Sequence, residues 1–134
     1  MVSWEKAEKY CVEEHEGHIA SVTSQQIHEF LLKIMKQKQK YYMWIGASDQ
    51  ELEGKWTWSD GSKWNYTNWG TWGPDNENGA NCGELNIAVN GWNDRECQDG
   101  NQYVCATNLC SGEMQNVFDI FCFVLQVPSP TLQL

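Results

Sequence analysis

Six cysteines in a chain of 134 residues limit what this sequence can fold into more than any other feature. A short chain with this many cysteines is typical of a protein that folds in an oxidising compartment and is held together by disulfides. Zinc ligation is the alternative, but the sequence contains no C-x-x-C pair, and its smallest gap runs from Cys105 to Cys110. The spacing therefore favours disulfides over a zinc site. Six cysteines allow fifteen pairings, and composition does not choose among them.

The charge of the chain excludes two classes of partner. The net charge is −9 and Lys and Arg together number nine, so the basic surface typical of nucleic-acid binding is not expected. Anionic lipid would repel the excess of acidic side chains. The apolar stretch Val117–Val127 is far shorter than the roughly 20 residues of a membrane-spanning helix. Acidic residues grouped in loops instead suit a hard cation such as calcium.

The cysteines predict secretion, whereas the first residues do not resemble a secretory signal. Such a signal has a basic segment followed by an apolar run, but Met1–Lys6 reads as the start of a helix. We therefore expect a secreted or extracellular protein. We interpret the beginning of the chain as that of a fragment, or of a gene model without its first exon.

Hydrophobic periodicity predicts two helices early in the chain. Ser3 is suited to cap the first helix and Gly17 to end it, while Thr23 and Gln26 form a capping-box pattern at the start of the second. Apolar residues at helical spacing form a stripe on each helix. The stripes consist of Trp4, Ala7, Cys11 and Val12 in the first helix and of Ile27, Phe30, Leu31, Ile34 and Met35 in the second. Four lysines suit the negative end of the second helix dipole, namely Lys33, Lys36, Lys38 and Lys40.

After Lys40 the pattern changes to short strands, separated by turns. Strands are predicted at residues 42–46, 55–58, 85–89 and 102–105. Asn90-Gly91 is a strong hairpin signal. Residues 61–81 show no periodicity and form a connection of about 20 residues, a length typical of functional loops. The layout predicts an α+β fold in one domain, with two helices, small antiparallel sheets and a long loop region.

Five segments carry a resemblance to a known family. They are SWEKAEKYC, GHIASVTSQQIHEFL, WIGASDQELEGKWTWSDG, GWNDREC and YVC. In this order they resemble the C-type lectin-like domain. The resemblance implies such a domain over residues 1–106, with its first strand missing, followed by an atypical tail at 107–134. It also implies the disulfides Cys11–Cys105 and Cys82–Cys97. Cys110 and Cys122 lie outside the family pattern and are left for each other or for a second chain.

The resemblance implies a carbohydrate-binding module that depends on calcium held in the long loop. Family members take ligands from a Pro-centred triplet, from Trp-Asn-Asp and from an acidic residue shortly before the family cysteine that corresponds to Cys82. In this chain the triplet is Gly73-Pro74-Asp75, so glycine removes one ligand oxygen, and the acidic position before Cys82 is absent. The calcium site is therefore expected to be weakened, with Glu77 as a replacement ligand. The Pro-Asp half of the triplet resembles galactose-type members.

Two groups of candidate ligands follow from this alignment. The main metal site is expected at Asp75, Glu77, Asn93 and Asp94, with Asp75, Asn93 and Asp94 also contacting sugar. Trp72 and Trp69 would either stack on a sugar ring or anchor the loop to the core. An accessory calcium position is expected at Asp49 and Glu53, with Asn76 and Asn81 available to join it. In the simpler alternative, Asn93 and Asp94 shape a turn and Asp49 and Glu53 flank another.

Other functions are less consistent with the sequence. The main alternative is a calcium-independent domain of the same family that recognises a protein ligand, which the eroded triplet favours. Ice binding is not expected, because the sequence shows no flat, repetitive Thr-rich face. An enzyme is not expected, because His15-Glu16-Gly17-His18 has the wrong spacing for a zinc protease helix and Gly17 breaks that helix. The expected partners are glycans, or a glycoprotein or protein ligand.

The tail contains a segment that needs a place in the fold. VFDIFCFVLQV is β-prone and poorly charged, so it would be prone to aggregate if exposed. We expect the tail to turn at Ser111-Gly112 and to return antiparallel beside the last strand of the domain, covering an edge that would otherwise stay unpaired.

Overall fold

The computed structural model describes residues 1–71 and 73–107 and, as backbone, the strand Cys122–Gln126. Its helices are α1 (Trp4–His15) and α2 (Gln25–Gln37). Its strands are β1 (Gly17–Ile19), β2 (Tyr42–Ser48), β3 (Thr57–Trp58), β4 (Cys82–Asn86), β5 (Gly91–Arg95), β6 (Tyr103–Thr107) and β7 (Cys122–Gln126). Single 3-10 turns lie at Glu77–Gly79 and Ile87–Val89.

Both helices begin at serine caps. The Ser3 side chain accepts a hydrogen bond from the backbone N–H of Lys6, as the sequence predicts. The second helix starts one residue later than expected, because the hydroxyl of Ser24, rather than that of Thr23, accepts from the N–H of Ile27 at 3.3 Å. The two helices and the strands confirm the α+β class.

The described strands belong to one connected sheet rather than to separate small ones. Its order is β1-β6-β2-β4-β5, with β3 paired to β2 and β7 paired to β6. All strand pairs are antiparallel except β2 with β6, which meet in parallel at Trp44 and Tyr103. That parallel contact joins the part of the sheet formed by β1, β6 and β7, against which α1 packs, to the part formed by β2, β3, β4 and β5.

The prediction of a strand through residue 89 is wrong at its end. The strand β4 stops at Asn86, whose side-chain oxygen accepts a hydrogen bond from the N–H of Ala88 at 2.9 Å. This local bond turns Ile87–Val89 into a 3-10 turn. The hairpin predicted at Asn90-Gly91 is confirmed, since β4 and β5 pair from Asn86 with Gly91 to Cys82 with Arg95.

Among the described residues, the core consists of two clusters. One lies between α2 and the sheet and includes five tryptophans with their rings in mutual contact, namely Trp56, Trp58, Trp64, Trp69 and Trp92. The other surrounds α1 and both disulfides. Both predicted pairs are present, Cys11–Cys105 and Cys82–Cys97. They close 94 and 15 positions, which corresponds to roughly 4–5 and 3 kcal/mol in the chain-entropy model.

Part of the tail lies where the sequence places it. The strand β7 runs antiparallel along β6, pairing Cys122 with Thr107 and Gln126 with Tyr103. The predicted turn at Ser111-Gly112, the Cys110 side chain and the Cys122 side chain fall outside the described residues. Among the helices that the structure describes, none has the length and apolarity to span a membrane.

Candidate functional site

Trp92, the tryptophan of the Trp-Asn-Asp motif, anchors the long loop to the core. Its side chain is fully buried and its ring meets the edges of Trp58 and Trp69. The backbone N–H of Trp92 donates to the carbonyl of Asn68 at 2.8 Å, and the N–H of Gly70 donates back to the carbonyl of Trp92 at 2.8 Å. Trp69 therefore anchors the loop, one of its two predicted roles. Trp72, the other candidate for stacking on sugar, lies outside the described residues.

Asp94 closes the loop around its proline. Its carboxylate is buried and accepts two backbone hydrogen bonds, from Asp75 N–H at 3.1 Å and Asn76 N–H at 2.6 Å. The preceding peptide bond, Gly73–Pro74, is cis. Asp75 in turn accepts from the N–H of Glu77 at 2.9 Å. Two of the three carboxylates of the predicted main site, those of Asp94 and Asp75, thus hold the backbone in place.

The structure brings the four predicted main-site residues to one opening. Asp75, Glu77, Asn93 and Asp94 line a cavity of about 180 Å³, together with Asn78, Ala80, Arg95, Glu96 and Asp99. Carboxylate and amide oxygens are the right kind of ligand for calcium. However, the two Asp94 oxygens already accept N–H groups, and Gly73 contributes no side-chain oxygen. The main site therefore fits calcium poorly in the conformation seen.

Gly73 is enclosed as well as short of a ligand. A Cβ atom placed on it would lie 3.1 Å from the carbonyl oxygen of Trp92 and 3.3 Å from both Cα and Oδ1 of Asn93. Because two of these neighbours are backbone atoms, a larger residue at position 73 would require the loop to shift.

The accessory residues form a closer group of oxygens. With its amide nitrogen turned toward them, Asn81 donates to Glu53 Oε2 at 2.9 Å and to Asp49 Oδ1 at 3.0 Å. Asp49 is buried and also accepts from the N–H of Gly54 at 2.9 Å. Desolvation and the neighbouring Asp49 carboxylate raise the pKa of Glu53. A half-turn of the Asn81 amide would direct a third oxygen at the point between the carboxylates, so this set fits a hard cation.

Neither the main set nor the accessory set of candidate ligands contains three closely grouped metal-binding side chains of the usual types. Among the residues that the structure describes, no three Asp, Glu, His or Cys side chains are grouped closely enough to hold a metal ion. The accessory set therefore depends on the Asn81 amide as its third member. No contact of the Asn76 side chain with this set is seen among the described residues.

Sequence reasoning did not identify His28, which links α2 to the site. His28 is buried, and its Nδ1 accepts a hydrogen bond from the indole N–H of Trp92 at 3.3 Å. Burial lowers the pKa of His28, although Glu29 and the Asn90 backbone oppose the shift. The sequence signal that could have identified a buried His28 is its position directly after Ile27, beside the apolar stripe of the second helix.

Glu84 was also missed. This buried carboxylate on β4 accepts from Arg95 Nη1 at 3.1 Å and from Asn101 Nδ2 at 2.8 Å. Burial raises the pKa of Glu84, and the neighbouring Arg95 opposes that rise. Through Arg95 and Asn101, Glu84 connects β5, which carries Asn93 and Asp94, to the segment before β6. Its role is therefore to hold the site in position.

The histidines of His15-Glu16-Gly17-His18 do not form a metal site. His15 ends α1 and His18 lies in β1, where its Nδ1 pairs with Glu8. Glu8 also accepts from the backbone N–H of Ile19 at 2.9 Å. The predicted end of the first helix at Gly17 is therefore confirmed, and a strand begins at that residue.

Comparison with known proteins adds a second line of evidence. Residues 1–107 match the family model described as the lectin C-type domain. The chain is 35% identical over 108 residues to a lectin of Pleurodeles waltl, covering 77% of this chain and 63% of that protein. It is also 35% identical over 112 residues to an alpha-N-acetylgalactosamine-specific lectin of Patiria pectinifera, covering 77% and 67% of the two chains.

A solved structure agrees with these relatives. Human lithostathine superposes with a TM-score of 0.73 at 30% identity, covering 78% of this chain and 82% of that one. The chain thus spans less than two thirds of the Pleurodeles waltl lectin, while most of the lithostathine domain has a counterpart in it.

Proposed function

Because the chain belongs to the C-type lectin domain family, we propose that it binds galactose-type sugars through the cavity bounded by its cis-proline loop and β5. As a member of this family it is a binding domain and not an enzyme.

The observation that carries the proposal is the grouping of Asp75, Glu77, Asn93 and Asp94 around one cavity of about 180 Å³. Their carboxylate and amide groups match the hydroxyls of a sugar as hydrogen-bond partners. The Pro74-Asp75 half of the triplet supports galactose-type ligands, as does the similarity to a lectin named for alpha-N-acetylgalactosamine.

Calcium would be held at two places of unequal quality. Asp49, Glu53 and Asn81 provide the better set, and an ion there would relieve the repulsion between the two carboxylates. Asp75, Glu77, Asn93 and Asp94 provide the weaker one, since Asp94 must first give up backbone hydrogen bonds. When bound, calcium supplies positive charge and open coordination positions for hydroxyl oxygens.

The experiment is a binding assay on immobilised galactose and mannose, run with millimolar calcium and then with chelator. We expect retention on galactose that chelator weakens. Glu53→Gln should reduce calcium affinity at least about tenfold, because one of two carboxylates is lost. Glu51→Gln removes an exposed carboxylate from the same turn and is the matched control. Equal retention on both sugars, or on neither, would contradict the proposed specificity.

A second candidate function rests on the hydrogen bonds of Asp94. Because its two oxygens already bind Asp75 N–H and Asn76 N–H, the loop is closed without a cation. A domain of this kind would recognise a protein ligand, or a sugar, with no metal. Calorimetry distinguishes the two: no heat on titrating calcium, with ligand binding unchanged by chelator, favours this candidate.

We also propose a secreted or extracellular location. The two disulfides, Cys11–Cys105 and Cys82–Cys97, persist in oxidising surroundings. Detection of free thiols at these four positions in protein taken directly from its natural source would contradict this location.

A further inference from the structure

A second surface of the molecule has the features of a binding site and shares no lining residue with the cavity at the cis-proline loop, although Asn68 of the long loop borders it. Two clefts of about 640 and 510 Å³ lie along α2 and the turn after it, and Lys36 lines both. The larger is also lined by Gln37, Asn68 and Asn90, and the smaller by Gln39, Lys40 and Tyr41. Neither includes Asp75, Asn93 or Asp94. We call this surface the α2 face.

The α2 face concentrates positive charge in an acidic protein. Four of the nine Lys and Arg residues stand between positions 33 and 40, and no Asp or Glu occurs between Glu29 and Asp49. Lys33, Lys36 and Lys38 are exposed and Lys40 is half-buried. Among the ion pairs of the described residues, none involves these lysines.

The helix dipole does not balance this charge. A helix C-terminus carries about half of one negative elementary charge, whereas the four lysines carry four positive ones. Glu29 is the one carboxylate among the described residues that line the two clefts. An anionic ligand along this face would therefore replace repulsion between lysines with attraction.

The neutral groups beside the lysines indicate what kind of anion fits. The amides of Gln37, Asn68 and Asn90 can donate to and accept from hydroxyl groups. Tyr41 is 64% exposed and stands next to Lys40, where its ring offers a flat apolar face. Amides, an exposed aromatic ring and cations together match a charged sugar chain better than a bare phosphate.

We propose that the α2 face binds a sulfated polysaccharide without calcium. Sulfate groups would pair with Lys33, Lys36 and Lys40, while ring hydroxyls would bind the amides of the larger cleft. DNA is the less favourable occupant, because its chain offers few hydroxyl groups to the amides of the larger cleft.

The test measures binding of heparin to the protein, with a calcium chelator present in every measurement. The variant Lys33→Gln, Lys36→Gln, Lys40→Gln is compared with the control Lys6→Gln, Lys55→Gln, Lys63→Gln. Both triples lower the net charge by the same amount, and the three control lysines are exposed on other parts of the surface. We expect the α2-face triple to weaken heparin binding at least about tenfold and the control less than about twofold. Thermal unfolding should be nearly unchanged in both.

Three results would overturn the proposal: no heparin binding by the unaltered chain, equal losses in the two triples, or a single-stranded DNA oligonucleotide that binds the α2 face as tightly as heparin. Neutral dextran should not bind. Because every measurement is made without calcium and none of the substituted lysines lines the cis-proline cavity, a negative result leaves galactose binding at that cavity untouched, and the reverse also holds.

Discussion

Replacing Asp94 tests whether its carboxylate serves the backbone or a metal. In the structure it accepts hydrogen bonds from the N–H groups of Asp75 and Asn76, at 3.1 and 2.6 Å. A hydrogen bond to a charged group contributes about 1.5–3 kcal/mol. The two donors belong to exposed residues, so water can replace part of the loss. We expect Asp94→Ala to lower the free energy of unfolding by about 2–3 kcal/mol in chelator, and Asp94→Asn by about half as much.

Urea unfolding followed by tryptophan fluorescence measures this loss, because five tryptophans lie in the adjoining core cluster. Asp99→Asn is the matched control. Asp99 lines the same cavity but is half-buried and pairs with Arg95 at the surface, so its loss should cost less than about 1 kcal/mol. If Asp94 served only as a metal ligand, removing it in chelator would leave stability unchanged or raise it by removing repulsion. That result would refute a backbone role for the Asp94 carboxylate.

Three further outcomes are expected. Because burial lowers the pKa of His28 below its ordinary value near 6.5, the unfolded chain takes up the proton first. The stability that the neutral His28 contributes is therefore fully present above about pH 6.5 and is lost as the pH drops toward the folded pKa. His28→Gln should make the free energy of unfolding, measured with urea between pH 7 and 5, depend less on pH. A pH dependence that the substitution leaves unchanged would contradict this role of His28. Hydrogen exchange should show protected amides in β7 together with those of β6; free exchange in β7 alone would disprove the pairing. Gly73→Gln should strengthen calcium and galactose binding in calorimetry, because it adds a side-chain oxygen beside Pro74. It should also lower the melting temperature, because its Cβ would crowd the Trp92 carbonyl. A variant that gains neither calcium nor galactose affinity would exclude a degenerate sugar site.

Sequence patterns were sufficient for those parts of the fold that depend on local physics. The apolar stripes placed α1 and α2, and the Asn90-Gly91 turn placed the β4–β5 hairpin. The pattern failed at Ile87–Val89, where alternation suggested a strand. There a hydrogen bond from the Ala88 N–H to the Asn86 side chain redirects the backbone. The spacing of the apolar residues does not indicate this bond.

The candidate site shows a similar division. Motif spacing identified which residues would meet, and Asp75, Glu77, Asn93 and Asp94 do share a cavity. Spacing did not reveal that the Asp94 oxygens would bind backbone N–H groups, because those partners have no side-chain signature. Nor did it reveal the bond between Trp92 and His28, which joins positions far apart in sequence.

The position of β6 at the centre of the sheet has a consequence for how the protein is made. This strand pairs with β1, β2 and β7, and its Cys105 is joined to Cys11 in α1. On a ribosome, which extends a chain from the N-terminus at about 5–20 residues per second, α1 and β1 must wait for residue 107 before they meet their main partner. During that interval the side of Trp44 that later lies beside Tyr103 has no neighbouring strand. We therefore expect slow folding with a high contact order, and oxidation of Cys11 with Cys105 only after translation has passed β6.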